Sequence, residues 1–128
     1  MRPASPFAFV DGALDRADHL RDDPAALAAA WPRCGVIALD EAGLALVDAD
    51  ARLLPLDGAA LPDGLGDAVF LGLREGRAWF SLAAAAHGID AHARIDLRRA
   101  ATQWPAWQAT LFAQARAVQH WHQRHRFC

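Results

Sequence analysis

The order of the secondary-structure signals limits the fold more than any other feature of the chain. Two blocks of short strand-like segments, at 34–56 and 68–83, lie between segments that open with a proline and have helical character. Strands grouped between helices, without regular alternation, are typical of α+β proteins. The sequence therefore predicts an α+β fold. Its mixed or antiparallel sheet has about five to six strands, with an N-terminal helix and a long C-terminal helix.

The helices have clear start signals. Asp23 is a suitable N-cap and Pro24 suits the first helical position. Asp96 is a second N-cap, for a short helix, and Pro105 then opens a helix predicted to run to about His125. The apolar residues of this last helix recur near helical spacing, which predicts a buried face. They are Trp107, Leu111, Ala115, Val118 and Trp121.

The strand-like segments differ in how they are expected to pair. Segments 34–40, 44–48 and 52–56 are apolar, short and separated by turn residues, which predicts an antiparallel meander. Segments 68–73 and 77–83 enclose the turn Arg-Glu-Gly and predict a hairpin. The predicted connections are 1–23, 57–67 and 84–93, the last of them mobile.

The length of the chain predicts one domain, and its charges are distributed so that the C-terminal segment is basic. A chain of 128 residues is expected to form a single domain over residues 1–128. The formal net charge is −2, yet residues 94–128 carry six arginines and one aspartate. This basic segment either binds a polyanion or faces solvent or an acidic neighbour. Its arginines are Arg94, Arg98, Arg99, Arg116, Arg124 and Arg126.

Cysteine use and hydropathy favour a cytoplasmic location. The two cysteines, Cys34 and Cys128, do not suggest a disulfide framework, so we expect a reducing compartment. The N-terminus lacks the basic and apolar regions of a signal peptide. No stretch approaches the ~18 apolar residues of a membrane span, so no membrane partner is expected.

Three patches of sequence carry a resemblance to a known family. They are "LDRADHLRDD" at 14–23, "VFLGLREGRAWFSL" at 69–82, and "LRRAA" at 97–101 followed by "AQARAVQHWHQRHRFC" at 113–128. In this order they resemble the N-terminal region of bacterial NADH pyrophosphatases of the Nudix superfamily. In that family the region is a rudimentary, degenerate Nudix-like domain, and a zinc ribbon and a catalytic Nudix domain follow it.

The resemblance implies a function for a longer parent protein. Such a parent hydrolyses NADH to reduced nicotinamide mononucleotide and AMP, and related enzymes also remove NAD caps from RNA. They act as dimers with Mg²⁺ or Mn²⁺. By this resemblance Cys128 is the first ligand of the structural zinc, and the present chain itself holds no cofactor. Its expected partners are the zinc ribbon and Nudix domain of the parent, a second copy, and NAD-capped RNA. Its expected role is scaffolding and dimerisation.

The acidic residues argue against catalysis by this chain. Nudix chemistry needs several glutamates on one helix, where they hold divalent metals against a pyrophosphate. The chain has only two glutamates, Glu41 and Glu75, and both fall in predicted turns. We therefore predict that the chain alone is inactive.

The histidines have two interpretations. His120, His122 and His125 are close enough in sequence to suggest a metal site, but only the last two share a helix face. The other interpretation, which is favoured, is that they complement the negative end of the helix dipole and bond its last carbonyls. His87 and His92 are predicted to be solvated.

Several other residues leave alternatives open. The tryptophans Trp79, Trp104, Trp107 and Trp121 either seal the core or stack on bases, and the core is favoured. Cys34 is predicted to be a small buried hydrophobic residue rather than a nucleophile. The groups Asp15-Arg16 and Arg21-Asp22-Asp23 predict local ion pairs, the alternative being an arginine contact to a phosphate. The rival functions are an arginine-rich nucleic-acid-binding module and a free-standing interaction domain whose exposed helix meets a partner.

Overall fold

A mixed sheet organises the chain. The computed structural model describes residues 14–125, which form six strands and four α-helices. The helices are α1 (Asp18–Arg21), α2 (Pro24–Ala30), α3 (Leu97–Gln103) and α4 (Ala106–His125). The strands are β1 (Gly35–Leu39), β2 (Ala45–Val47), β3 (Leu56–Asp57), β4 (Val69–Arg74), β5 (Arg77–Ala83) and β6 (Ala93–Ile95). The predicted α+β class is confirmed, and the caps Asp23 and Asp96 accept hydrogen bonds from Ala26 and Arg99 amides, respectively.

The strand order is β4-β5-β1-β2-β6, with β1 and β5 parallel. The other edge of β1 is divided between β2, through Leu39 and Ala45, and β3, through Val36 and Leu56. The predicted meander is therefore right for β2 and wrong for β3, which pairs with β1. The segment before β3 meets β2 only through an isolated bridge, and Pro55, which follows, has no N–H to extend that ladder.

All three predicted connections contain regular structure, and 57–67 holds the last residue of β3 with 3-10 turns at Gly58–Ala60 and Leu65–Asp67. The segment 84–93, predicted to be a mobile connection, holds a 3-10 turn at Ala85–His87 and the first residue of β6. Strand β6 pairs with β2 along its length, and Ile95 is buried. Three residues are too few for an alternating pattern to be visible in the sequence. Helix α1 likewise lies in the segment 1–23, which was predicted to be an extended or looped connection, and residues 1–13 lie outside the described part.

Helix α4 covers one face of the sheet. It begins where Trp107 meets Trp79 of β5, with ring centroids 5.3 Å apart, and it reaches the end of β1 where Gln119 contacts Asp40. The predicted apolar face packs into this core as far as Val118. Trp121, predicted to seal the core, is 56% exposed, because α4 continues past the end of β1. The opposite face of the sheet is covered around Trp31, Val36 and Phe80.

Candidate functional site

A cleft of about 470 Å³ lies beside α4, at the end of the sheet where β1 and β5 finish. Val69 of β4 is paired with Ser81 of β5, and these two residues form the floor with Ala83. Ala115 and Val118 of α4 form one wall. The cleft is open because α4 crosses the sheet from β5, where Trp107 meets Trp79, to the end of β1, and leaves the start of β4 uncovered. We call it the α4 cleft.

One rim of the α4 cleft is the turn between β1 and β2. The Oδ1 of Asp40 accepts hydrogen bonds from the amides of Ala42 and Leu44, both at 2.9 Å. Its Oδ2 lies 3.1 Å from Nε of Arg94 on β6. Gln119 of α4 donates to the Asp40 carbonyl at 2.8 Å. The turn is thereby fixed to both α4 and β6, and the neighbouring Glu41 side chain stays exposed.

On the opposite rim of the cleft, a histidine contacts an aspartate from a different turn. Nε2 of His87 lies 3.0 Å from Oδ2 of Asp67, and the His87 side chain is only 14% exposed. The prediction that His87 is solvated is therefore wrong, while His92 is exposed as predicted. The two partners come from separate 3-10 turns, at Leu65–Asp67 and Ala85–His87, so no local sequence pattern links them.

Ser81 is the polar residue of the cleft floor that sequence reasoning missed. It is 7% exposed and is the one buried polar side chain among those whose burial the structure describes. Its neighbours in β5 are apolar, so nothing in the sequence marks it as more than an interruption of a buried strand. Within the same described range its hydroxyl has no hydrogen-bond partner from the protein. The hydroxyl therefore has donor and acceptor capacity to offer to the cleft.

The predicted positions of the glutamates are confirmed. Glu41 follows β1 and Glu75 occupies the turn between β4 and β5, so they lie at opposite ends of the sheet. In the part of the chain that the structure describes, no three His, Cys, Asp or Glu side chains gather in an arrangement that could hold a metal ion. These residues do not fit the catalytic Mg²⁺ or Mn²⁺ of a Nudix enzyme.

Cys34 is a buried thiol, as predicted. It is fully excluded from solvent at the start of β1. This burial raises the pKa of the Cys34 thiol to about 11. The thiolate, which is the nucleophilic form, is therefore scarce at neutral pH. The second cysteine, Cys128, lies outside the described residues.

The histidines of α4 diverge. His122 lines the α4 cleft, whereas His120 is exposed on the outer side of the helix. His125 ends the helix. This is the divergence expected for residues two apart on a helix.

The basic segment is distributed over several elements. Arg94 on β6 is bonded to Asp40, and it lies 3.7 Å from Asp90. Arg98 and Arg99 are exposed on α3. The remaining described arginines, Arg116 and Arg124, are exposed on α4, and Arg126 lies outside the described residues. The charge of Arg94 is thus already balanced by neighbouring aspartates.

The acid- and arginine-rich segment 15–23 is anchored to backbone. Asp15 accepts from the Ala17 amide at 2.9 Å. Arg21 reaches across to β4, where Nη1 donates to the Phe70 carbonyl at 2.8 Å and Nη2 to the Leu71 carbonyl at 3.2 Å. The ion-pair network predicted for this segment stays a prediction.

The α+β architecture, with its mixed sheet and long C-terminal helix, is that of a Nudix-like domain, and within residues 14–125 it lacks grouped metal-binding carboxylates. A family model for the NADH pyrophosphatase-like rudimentary NUDIX domain matches residues 34–121, from the start of β1 to Trp121 in α4. The chain belongs to this family, which confirms the resemblance seen in the sequence. No curated protein sequence matches the chain. Among the described helices, none is long and apolar enough to span a membrane.

Proposed function

We propose that the chain acts as the non-catalytic N-terminal domain of a cytoplasmic NAD(H) pyrophosphatase. The observation that carries this proposal is the family match over residues 34–121. In the parent enzyme a zinc ribbon and a catalytic Nudix domain follow this domain. The parent hydrolyses NADH to reduced nicotinamide mononucleotide and AMP, and NAD-capped RNA is a second substrate. The present domain serves as a scaffold for those domains and for a homodimer.

The distribution of carboxylates supports a non-catalytic role. The helices α2, α3 and α4 contain no acidic residue. Glu41 and Glu75 are separated by the length of the sheet. A pyrophosphate bound at either glutamate would meet too few carboxylates to hold a divalent metal.

The end of α4 supports a docking role. Trp121 exposes 56% of its surface, and the ring of His122 stands 5.3 Å from its own. Large exposed aromatic side chains are enriched at protein–protein interfaces. We propose that Trp121 packs against the zinc ribbon of the parent and that Cys128 supplies the first of its four zinc ligands.

An activity assay tests the catalytic part of the proposal. NADH hydrolysis is measured with Mg²⁺ or Mn²⁺ for this chain and for the full-length gene product. We expect activity only in the longer protein, with the Glu41→Gln and Glu75→Gln variants of that protein as active as the unaltered enzyme. Hydrolysis of NADH by the chain alone would show that its two glutamates suffice for catalysis. Inactivity of both proteins would refute the proposed parent activity.

A second experiment tests the docking role in the full-length protein. Cys128→Ser is expected to reduce bound zinc, measured by metal analysis of the purified protein. Trp121→Ala is expected to lower the thermal midpoint and weaken the dimer, measured by sedimentation. His120→Ala alters an exposed neighbour on the same helix and serves as the matched control. Equal behaviour of the Trp121 and His120 variants would contradict the docking role.

A further inference from the structure

The α4 cleft has the size and lining of a small-molecule site. Its volume of about 470 Å³ lies within the range of ligand pockets, roughly 300–1,000 Å³. Leu39, Val69 and Val118 supply apolar surface, on which a short carbon chain is able to pack.

A polar group on the cleft floor has no partner in the protein. Ser81 is more than nine-tenths buried, and its hydroxyl makes no protein hydrogen bond within residues 14–125. The pairing of Ser81 with Val69, and its place among the lining residues, put this side chain on the cleft floor. Because Ser81 lines the open cleft and its hydroxyl has no protein partner, a ligand that carries a hydroxyl or an amide would gain a hydrogen bond here.

The rim of the cleft carries an excess of negative charge. Asp40, Glu41 and Asp67 all line the cleft, and its described lining includes no arginine. Asp40 is largely engaged by Arg94 and by its own turn. Glu41 is exposed, and the Asp67 side chain is 65% exposed, so both carboxylates are accessible to a ligand. Charge of one sign around a cleft attracts ligands of the other sign.

We propose that the α4 cleft binds small organic cations that carry a hydrogen-bonding group a few carbon atoms from the charge, of which amino alcohols are the simplest class. The cationic end lies at the rim with Glu41 and Asp67, the carbon chain packs on Val69 and Val118, and the hydroxyl meets Ser81. The proposal is independent of the function of any longer parent, because it uses only groups of this cleft.

Three probe molecules of nearly equal shape separate the contributions of the ammonium group and of the hydroxyl to binding. Aminobutanol has an ammonium group at one end and a hydroxyl at the other, pentylamine replaces the hydroxyl by a methyl group, and butanediol replaces the ammonium group by a second hydroxyl. Binding is followed by backbone amide shifts in NMR titrations of the chain. We expect aminobutanol to bind about threefold more tightly than pentylamine and about tenfold more tightly than butanediol, since hydrogen bonds to charged groups are the stronger ones. The perturbed amides should be those around Ser81 and Glu41.

Variants assign each preference to a residue. Ser81→Ala should abolish the preference for aminobutanol over pentylamine and leave the preference over butanediol. Glu41→Gln combined with Asp67→Asn should do the reverse. Glu41→Gln is also measured alone, because Asp67 additionally holds His87. Glu75→Gln removes the same charge at the far end of the sheet and should change neither preference.

Several results would overturn the proposal. Equal binding of the three probes would exclude recognition by both groups. Amide shifts remote from the cleft, or no saturable shifts, would exclude the site. Preferences that survive both the Ser81 and the Glu41 variants would exclude the assigned contacts.

Discussion

The indole of Trp79 lies over Gly35 on the neighbouring parallel strand. The two residues are paired in register, and a Cβ placed on Gly35 would come within 2.6 Å of Cε3 of Trp79. The same indole stands edge-on to Trp107 and carries the guanidinium of Arg77 at 4.9 Å from its ring centroid. Gly35 therefore sets the position of the ring against which α4 begins.

Gly35→Ala should destabilise the chain. The added methyl group has to displace the Trp79 indole, and overpacking of this kind costs about 1–3 kcal/mol of the free energy of unfolding. Gly66→Ala is the matched control, because nothing lies within 4 Å of a Cβ at that position. Urea unfolding followed by tryptophan fluorescence measures both variants. A Gly35→Ala protein as stable as the Gly66→Ala protein would show that the indole moves without cost.

Arg21→Lys should weaken the attachment of α1 to β4. Two nitrogens of the guanidinium donate to successive carbonyls, and its carbon lies 5.4 Å from the Phe70 ring centroid. A lysine ammonium does not reproduce this fork geometry, and we expect a loss of about 1–2 kcal/mol. Arg98→Lys, an exposed change on α3, should remain within about 0.5 kcal/mol of the parent. Equal midpoints for the two variants in urea would contradict the role of the fork.

The sequence predicted correctly those elements that turn residues and helix caps determine locally. The hairpin of β4 and β5 and the start of α2 were predicted within one or two residues, because turn residues and caps act on their sequence neighbours. The parallel pairing of β1 with β5 was not predicted, because it joins segments far apart in sequence. The pairing of β3 with β1, through Leu56 and Val36, was likewise not predicted, because it bypasses β2, the nearer strand in sequence.

The sequence did not predict the α4 cleft, because the cleft also depends on contacts between separate parts of the chain. Its rim depends on the bond between His87 and Asp67, which belong to two separate turns. Its floor contains Ser81, which in the sequence only interrupts an apolar strand. Its openness follows from the direction of α4 across the sheet. What the sequence did predict correctly was that Glu41 and Glu75 fall in turns, since turn residues mark both segments locally.

The stability of the chain should fall between about pH 9 and pH 11. Burial raises the pKa of the Cys34 thiol from its usual value near 9 to about 11. In this window the unfolded chain has lost the thiol proton while the folded chain retains it, so rising pH favours unfolding. The expected loss is on the order of 2 kcal/mol.

The composition makes that measurement specific. The chain has no tyrosine, and all 13 of its basic residues are arginine, so few other groups titrate in the window. The stability is compared in a Cys128→Ser background, with and without Cys34→Ala, by urea unfolding across the pH range. The second variant should show a flat profile even if its core is weakened. A steep fall in both proteins would assign the effect to another group.

Trp121→Ala should have little effect on the stability of this chain, in contrast to Trp104→Ala. The Trp121 side chain is mostly exposed, and surface substitutions usually change the free energy of unfolding by about 0.5 kcal/mol or less. Trp104 is 7% exposed, packs 5.6 Å from Phe112 and donates its indole N–H to the Ala51 carbonyl at 2.9 Å. Its removal should cost about 3–5 kcal/mol. Thermal and urea unfolding of both variants measure the difference. A large loss for Trp121→Ala would show that this residue stabilises the isolated chain, and would remove exposure as the reason for assigning it to an interface.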